Sequence, residues 1–262
     1  MGALSLSSRA IIGEFFLRLE QNVGTAWIDN ISMLFQSNQE SETYKWLGMV
    51  PQMREWLGGR NAKGFRDNGI TITNLEFEAT LEVLTKELRR DKTGQVLLRI
   101  RELADRTNSH WAKLLSQLIL NGESTNAYDG KFYFATDHEE GDSGVQSNDI
   151  EFNASTITKP TAAEMELAIL EAVTQILSKV DNEKEPMNEG ANSFGIMVPV
   201  PFMAAAMSAL KNATIVDGSG SRTNTILSSG FSFDLWVNAR LTWTTKFATF
   251  RTDGNAKPLI RQ

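Results

Sequence analysis

Apolar and polar residues alternate without a break from Leu75 to Val83. Leu75, Phe77, Ala79, Leu81 and Val83 fall on one side, and Glu76, Glu78, Thr80 and Glu82 on the other. A period of two is that of a strand with one covered face. Ile70 and Ile72 run in the opposite phase, so a bulge or bend near Asn74 is needed to bring all of them to one side. Asn68-Gly69 is a turn signal and the chain from Arg54 to Phe65 reads as extended, so a long two-stranded hairpin is predicted over residues 54–83. Such a hairpin is marginal alone and must lie on another surface. Just before it, Tyr44-Lys45-Trp46-Leu47-Gly48-Met49-Val50-Pro51 and Arg54-Glu55-Trp56-Leu57-Gly58-Gly59-Arg60 are too interrupted for a core and too aromatic for a linker.

Elsewhere the period changes to 3.6. Leu97, Ile100, Ala104, Trp111, Leu114, Leu115 and Leu118 form one stripe, which predicts a helix over 97–121 that stops at Asn121-Gly122. A second helix is predicted after Thr161, with Glu164 completing a capping box and Met165, Ala168, Ile169, Ala172, Ile176, Leu177 and Val180 as its apolar set. Two short helices are expected over 8–36, broken at Asn22-Val23-Gly24, with Met33, Leu34 and Phe35 in the second. Phe194 to Val198 reads as a buried strand, followed by a helix that begins at Pro199 or Pro201 and runs through Ala213. Further strands are expected at Lys131–Phe134, Phe231–Val237 and Leu241–Phe250, with a flexible loop at Asp217–Ser221. The segment Pro258-Leu259-Ile260 begins an apolar strand that stops at once, so a missing tail is expected.

Composition narrows the function. The 262 residues are 41% hydrophobic and 22% charged, which suits one or two globular domains. No stretch is apolar enough for a transmembrane helix, and Met1-Gly2-Ala3-Leu4-Ser5 lacks the start of a secretory signal, so no membrane partner is expected. There is no cysteine, which removes disulfides, thiolate nucleophiles and sulfur-ligated metals. A net charge of −6 argues against gripping nucleic acid, although it permits enclosing it.

The candidate chemistry is thin. Asp129, Asp137, His138, Glu139, Glu140 and Asp142 offer hard oxygen ligands for a cation, but without the spacing of a calcium loop, and a solvated loop is the plainer reading. His110 has no carboxylate on its face and reads as a packed or interface histidine. The run Gly58 to Gly64 lacks the Gly-Lys-Ser/Thr ending of a phosphate loop, and no Gly-x-Ser-x-Gly elbow occurs. The charges are arranged for contact instead. Arg54, Arg60, Lys63 and Arg66 precede Glu76, Glu78, Glu82 and Glu87, and Arg89 and Arg90 follow, so basic and acidic strips lie side by side.

Taken in order, Trp46-Leu47-Gly48, Pro51, Met53-Arg54-Glu55-Trp56, Gly59-Arg60, Ile72-Thr73-Asn74, Phe77-Glu78, Asp91-Lys92-Thr93-Gly94, Leu120-Asn121-Gly122, Tyr128-Asp129-Gly130, Asp137-His138 and Lys257-Pro258-Leu259-Ile260 resemble one family. It comprises the major head subunits of Mu-like phages and prophages, the gpT family, which look like members of the HK97-like capsid fold. Arg90-Asp91 departs from its usual acidic pair, and its C-terminal extension is absent.

The resemblance implies an α+β chain with an N-terminal arm (1–50), an extended loop (51–86), a peripheral domain (87–159) on the spine helix, an axial domain (160–245) and a return to the peripheral domain (246–262). The axial loop near Asp217–Arg222 would face the centre of a hexamer or pentamer. Function would be mechanical, with no catalytic residue, cofactor or metal: an icosahedral shell around double-stranded DNA, with scaffold and portal proteins as assembly partners. Inter-subunit contacts are expected at Trp46, Arg54, Trp56, Arg60, Arg66, Phe77, Glu78, Glu82, Arg89 and Arg90. A gene transfer particle or a protein-cargo nanocompartment would share these features. An enzyme using the Asp129–Asp142 loop is the distant alternative.

Overall fold

A computed structural model describes residues 8–20, 27–45, 69–82, 84, 86, 94–218 and 220–262. The helices, in chain order, are α1 (Ser8–Glu20), α2 (Trp27–Ile31), α3 (Gln95–Leu120), α4 (Ala162–Leu177), α5 (Met203–Lys211) and α6 (Thr225–Ser228). The strands are β1 (Ser32–Leu34), β2 (Ser41–Lys45), β3 (Gly69–Thr73), β4 (Ser193–Val198), β5 (Thr214–Asp217), β6 (Gly220–Thr223), β7 (Ser232–Val237), β8 (Ala248–Arg251) and β9 (Leu259–Arg261). The chain divides into two compact units, Met1–Asp29 with Leu75–Gln117, and Asn30–Asn74 with Leu118–Gln262.

In the first unit α1 and α3 are joined by reciprocal ion pairs. Arg18 donates to Asp105 through Nε at 2.7 Å and Nη2 at 3.0 Å, and Arg101 Nε donates to Glu14 at 2.5 Å. Asn108 Nδ2 donates to the Leu19 carbonyl at 3.2 Å and so satisfies one of the last carbonyls of α1. Ile100 and Ala104 are buried as the stripe on α3 requires, together with Val96 and Ala112, which the sequence reading had not singled out.

The second unit is built around β4. Phe194, Ile196, Met197 and Val198 are all fully buried, because β4 is the centre of a three-stranded sheet ordered β7-β4-β8. It pairs in parallel with β7 and antiparallel with β8. A parallel neighbour demands a long crossover, and α5, the β5–β6 hairpin and α6 supply it. Met165 and Ile169 of α4 and Ala206, Ala209 and Leu210 of α5 close the core with Phe202 and Ile226. Gly195 is the tight point. A Cβ there would sit 2.0 Å from Trp236 Cη2, so Gly195→Ala forces the indole out of place. The expected loss is about 1–3 kcal/mol, read as a lower denaturant midpoint at unchanged slope.

The capping box of α4 forms as the sequence predicts. Thr161 Oγ1 accepts from the Glu164 N–H at 3.2 Å, and Glu164 Oε2 accepts from the Thr161 N–H at 2.8 Å. Glu164 Oε1 also accepts from the Ser155 N–H at 2.6 Å. These donors, the Thr161 N–H foremost, favour the charged carboxylate and lower its pKa from 4.5 to about 2. A depressed pKa contributes stability that is full above pH 4.5 and lost as pH falls towards about 2. Glu164→Gln is expected to flatten the fall in thermal midpoint across that window.

Several predicted elements take another form. Helix α2 ends at Ile31, and Ser32–Leu34 is a strand, because it pairs in parallel with β9. The loop expected at Asp217–Ser221 is shorter, because Asp217 pairs with Gly220 and Val216 with Ser221 in the β5–β6 hairpin. Lys131–Phe134 forms only an isolated bridge, Asn126 to Phe132, because its backbone groups close loops onto Thr125, Ala127 and Gly122. From Leu241 to Phe247 there is no strand, and the ladder starts at Ala248. The alternating run also lacks a ladder: residues 74–82 carry no strand assignment. The described partner of Ile70–Thr73 is β2, in the register Tyr44 to Ile70 and Glu42 to Ile72, upstream of the predicted arm. That arm, residues 54–65, lies outside the described residues.

Candidate functional site

Of the ten expected contact residues, Trp46, Arg54, Trp56, Arg60, Arg66, Arg89 and Arg90 lie outside the described residues. Phe77, Glu78 and Glu82 are described, and all three are exposed. The Phe77 ring meets His110 of α3 edge-on, with centroids 4.4 Å apart, yet 58% of the residue is open to solvent. His110 is thus a packed histidine. Leu75 is 71% exposed, and Leu81 and Leu84 are exposed as well.

In the same unit α1 is apolar on two faces. Ile11, Phe15 and Leu19 are half-buried, whereas Ile12, Phe16 and Leu17 are exposed.

The second unit holds a polar centre that the sequence reading missed. Glu166 of α4 is fully buried. Its Oε1 accepts from Arg222 Nη1 at 3.1 Å and from the Thr225 N–H at 2.8 Å, and its Oε2 accepts from Arg222 Nη2 at 2.6 Å. Arg222 Nε reaches Asp217 at 3.3 Å. Burial pushes the Glu166 carboxyl up, but Arg222 and the Thr225 N–H outweigh it, and the net pKa is lowered. The β5–β6 hairpin is therefore bolted to α4 by a forked guanidinium–carboxylate pair. A glutamate next to the apolar stripe Met165, Ala168, Ile169 was the available signal.

Three side-chain pairs form within the acidic loop. Asp129 Oδ2 lies 2.6 Å from His138 Nδ1, Lys131 pairs with Asp137, and Tyr128 donates to Glu140 at 3.2 Å. Among the described residues no group of three or more His, Asp or Glu side chains is placed to hold a metal ion.

The family model of the Mu-like prophage major head subunit gpT matches residues 14–158. The chain belongs to that family. The Mu-like prophage FluMu major head subunit of Haemophilus influenzae is 30% identical over 111 residues, which is 42% of this chain and 36% of that protein. The major capsid protein of Escherichia phage Mu is 28% identical over 110 residues, again 42% of this chain and 36% of the relative. The alignments thus span little more than a third of the length of these relatives. Among solved structures, the bacteriophage JBD30 capsid superposes with a TM-score of 0.63 at 16% identity, covering 84% of this chain and 92% of that one. The JBD30 procapsid gives 0.60 at 17%, covering 89% and 98%. At such identity the likeness concerns the fold: this gpT-family chain has an α+β, HK97-like capsid architecture. No helix among its described residues is long and apolar enough to cross a membrane.

Proposed function

We infer that this chain is a major head subunit whose copies close into an icosahedral shell around double-stranded DNA. The observation that carries the reading is the gpT family match across residues 14–158, on a fold that covers most of a phage capsid chain. The exposed Leu75 and Phe77 and the outer face of α1 supply apolar surface for neighbouring copies in hexamers and pentamers. The division into arm (1–50), extended loop (51–86), peripheral domain (87–159, 246–262) and axial domain (160–245) belongs to this reading. So do the scaffold and portal proteins as partners, assembly in the bacterial host cytoplasm, and residence in the virion capsid. The subunit acts without covalent chemistry. DNA is held by enclosure, which suits a net charge of −6.

Expression of the chain with its head-assembly partners, followed by negative-stain electron microscopy and nuclease protection, tests this. Closed particles with protected DNA are expected. A chain that stays monomeric under those conditions overturns the reading.

A further inference from the structure

The β2–β3 ribbon spans Ser41–Lys45 and Gly69–Thr73. It is two-stranded, no third strand joins it among the described residues, and Ile70 is 37% exposed. Its root, by contrast, is densely hydrogen-bonded, and one side chain reaches both strands. Gln262 Oε1 accepts from Tyr44 Oη on the β2 side at 2.6 Å. On the β3 side, Gln262 Nε2 donates to the Ile72 carbonyl at 3.3 Å and to Asn74 Oδ1 at 3.1 Å. Asn74 in turn donates from Nδ2 to the Gln39 carbonyl at 2.6 Å and to Ser37 Oγ at 3.3 Å, and from its N–H to the Glu40 carbonyl at 2.9 Å.

The base of this network is fixed. Gln262 follows β9, which is held in parallel by β1, and the Phe35 N–H extends that pairing onto the Arg261 carbonyl at 2.9 Å. The Phe35 and Tyr44 rings lie 5.1 Å apart. We propose that Gln262, Tyr44 and Asn74 are positioning residues that lock the ribbon to the β1–β9 pair and fix its orientation on that pair. Only a carboxamide serves at position 262, since the site asks for one acceptor and two donors. A carboxylate of the same shape would face two oxygens with no proton to offer. Where the ribbon reaches another copy, the lock fixes its reach. That extension alone rests on the shell reading, and the test below does not.

Because the chain has no cysteine, spin labels at Gly69→Cys and Lys211→Cys report a ribbon-to-body distance without interference. Labelled chain is diluted with excess unlabelled chain so that only distances within one subunit are read. The parent is expected to show one narrow distribution. Gln262→Glu at neutral pH is expected to broaden and shift it, and to speed amide exchange in residues 41–45 and 69–73 by roughly tenfold, while exchange in β4 stays as in the parent. Tyr44→Phe keeps the ring against Phe35 and removes one bond, and should give a smaller broadening. A distribution as narrow as the parent's in both variants overturns the proposal. If Gln262→Glu does not fold, an unchanged distribution in Tyr44→Phe and Asn74→Ala does so.

Discussion

Phe77→Ala is expected to yield a subunit that folds and melts as the parent does but forms closed shells at least roughly tenfold less efficiently. The ring touches His110 on one edge and leaves 58% of the residue open, so truncation costs the free subunit little. Full burial of a phenylalanine is worth about 1.5–3 kcal/mol. Covering the open part in a shell would therefore contribute roughly 1 kcal/mol or more per contact. A deficit near 1.4 kcal/mol is tenfold in an equilibrium constant, and a closed shell repeats the deficit at every subunit. Trp56→Ala is expected to act in the same way. Particle counts by electron microscopy against the thermal midpoint of the free subunit separate the two effects, and normal shell yield from both variants would refute the contact.

Glu166→Ala should have the largest effect on the subunit itself. It removes a fully buried carboxylate that accepts three hydrogen bonds and leaves the Thr225 N–H without an acceptor inside the fold. Breaking a buried pair costs about 3–5 kcal/mol. Because Arg222 is 34% exposed and rehydrates in part, about 3 kcal/mol is expected. Against a typical stability of about 5–15 kcal/mol this is a large share, readable as a denaturant midpoint. The reverse deletion changes the pH dependence instead. In the parent, the lowered pKa of Glu166 contributes stability above the ordinary carboxylate range that is lost as pH falls. In Arg222→Met the Thr225 N–H is left to oppose burial without the guanidinium, so that pKa rises above the parent's and less stability is lost as pH falls. A stability–pH profile that keeps the parent's slope would show that Arg222 does not hold the carboxylate.

Local signals carried well from sequence to structure. The cap at Thr161 and Glu164 needs only neighbours three residues apart, and the helix over Gln95–Leu120 needs only its own stripe. What failed were features decided by a distant partner. Leu75 to Leu81 alternate correctly for a strand, but alternation names a face and not a mate, and none pairs with them among the described residues. Met33 and Leu34 belong to a short apolar run whose period is ambiguous, and their parallel pairing with Ile260 and Arg261 settles it. No local pattern marks Glu166 as an ion-pair residue, because its counter-charge, Arg222, lies 56 residues away. At the candidate site, Phe77, Glu78 and Glu82 are exposed, whereas the polar root at Gln262 draws together residues that no single stretch contains.

The pairs Glu14–Arg101 and Arg18–Asp105 have a constant offset of 87 residues, so α1 and α3 run in the same direction. They cannot both form until synthesis has passed Asp105, although α1 is the first of the described helices to be made. Throughout that delay an identical α3 within reach offers Glu14 and Arg18 the same arginine and aspartate. Timing on the ribosome, and the salt in which it happens, thus bears on whether α1 settles on its own α3 or is traded between chains.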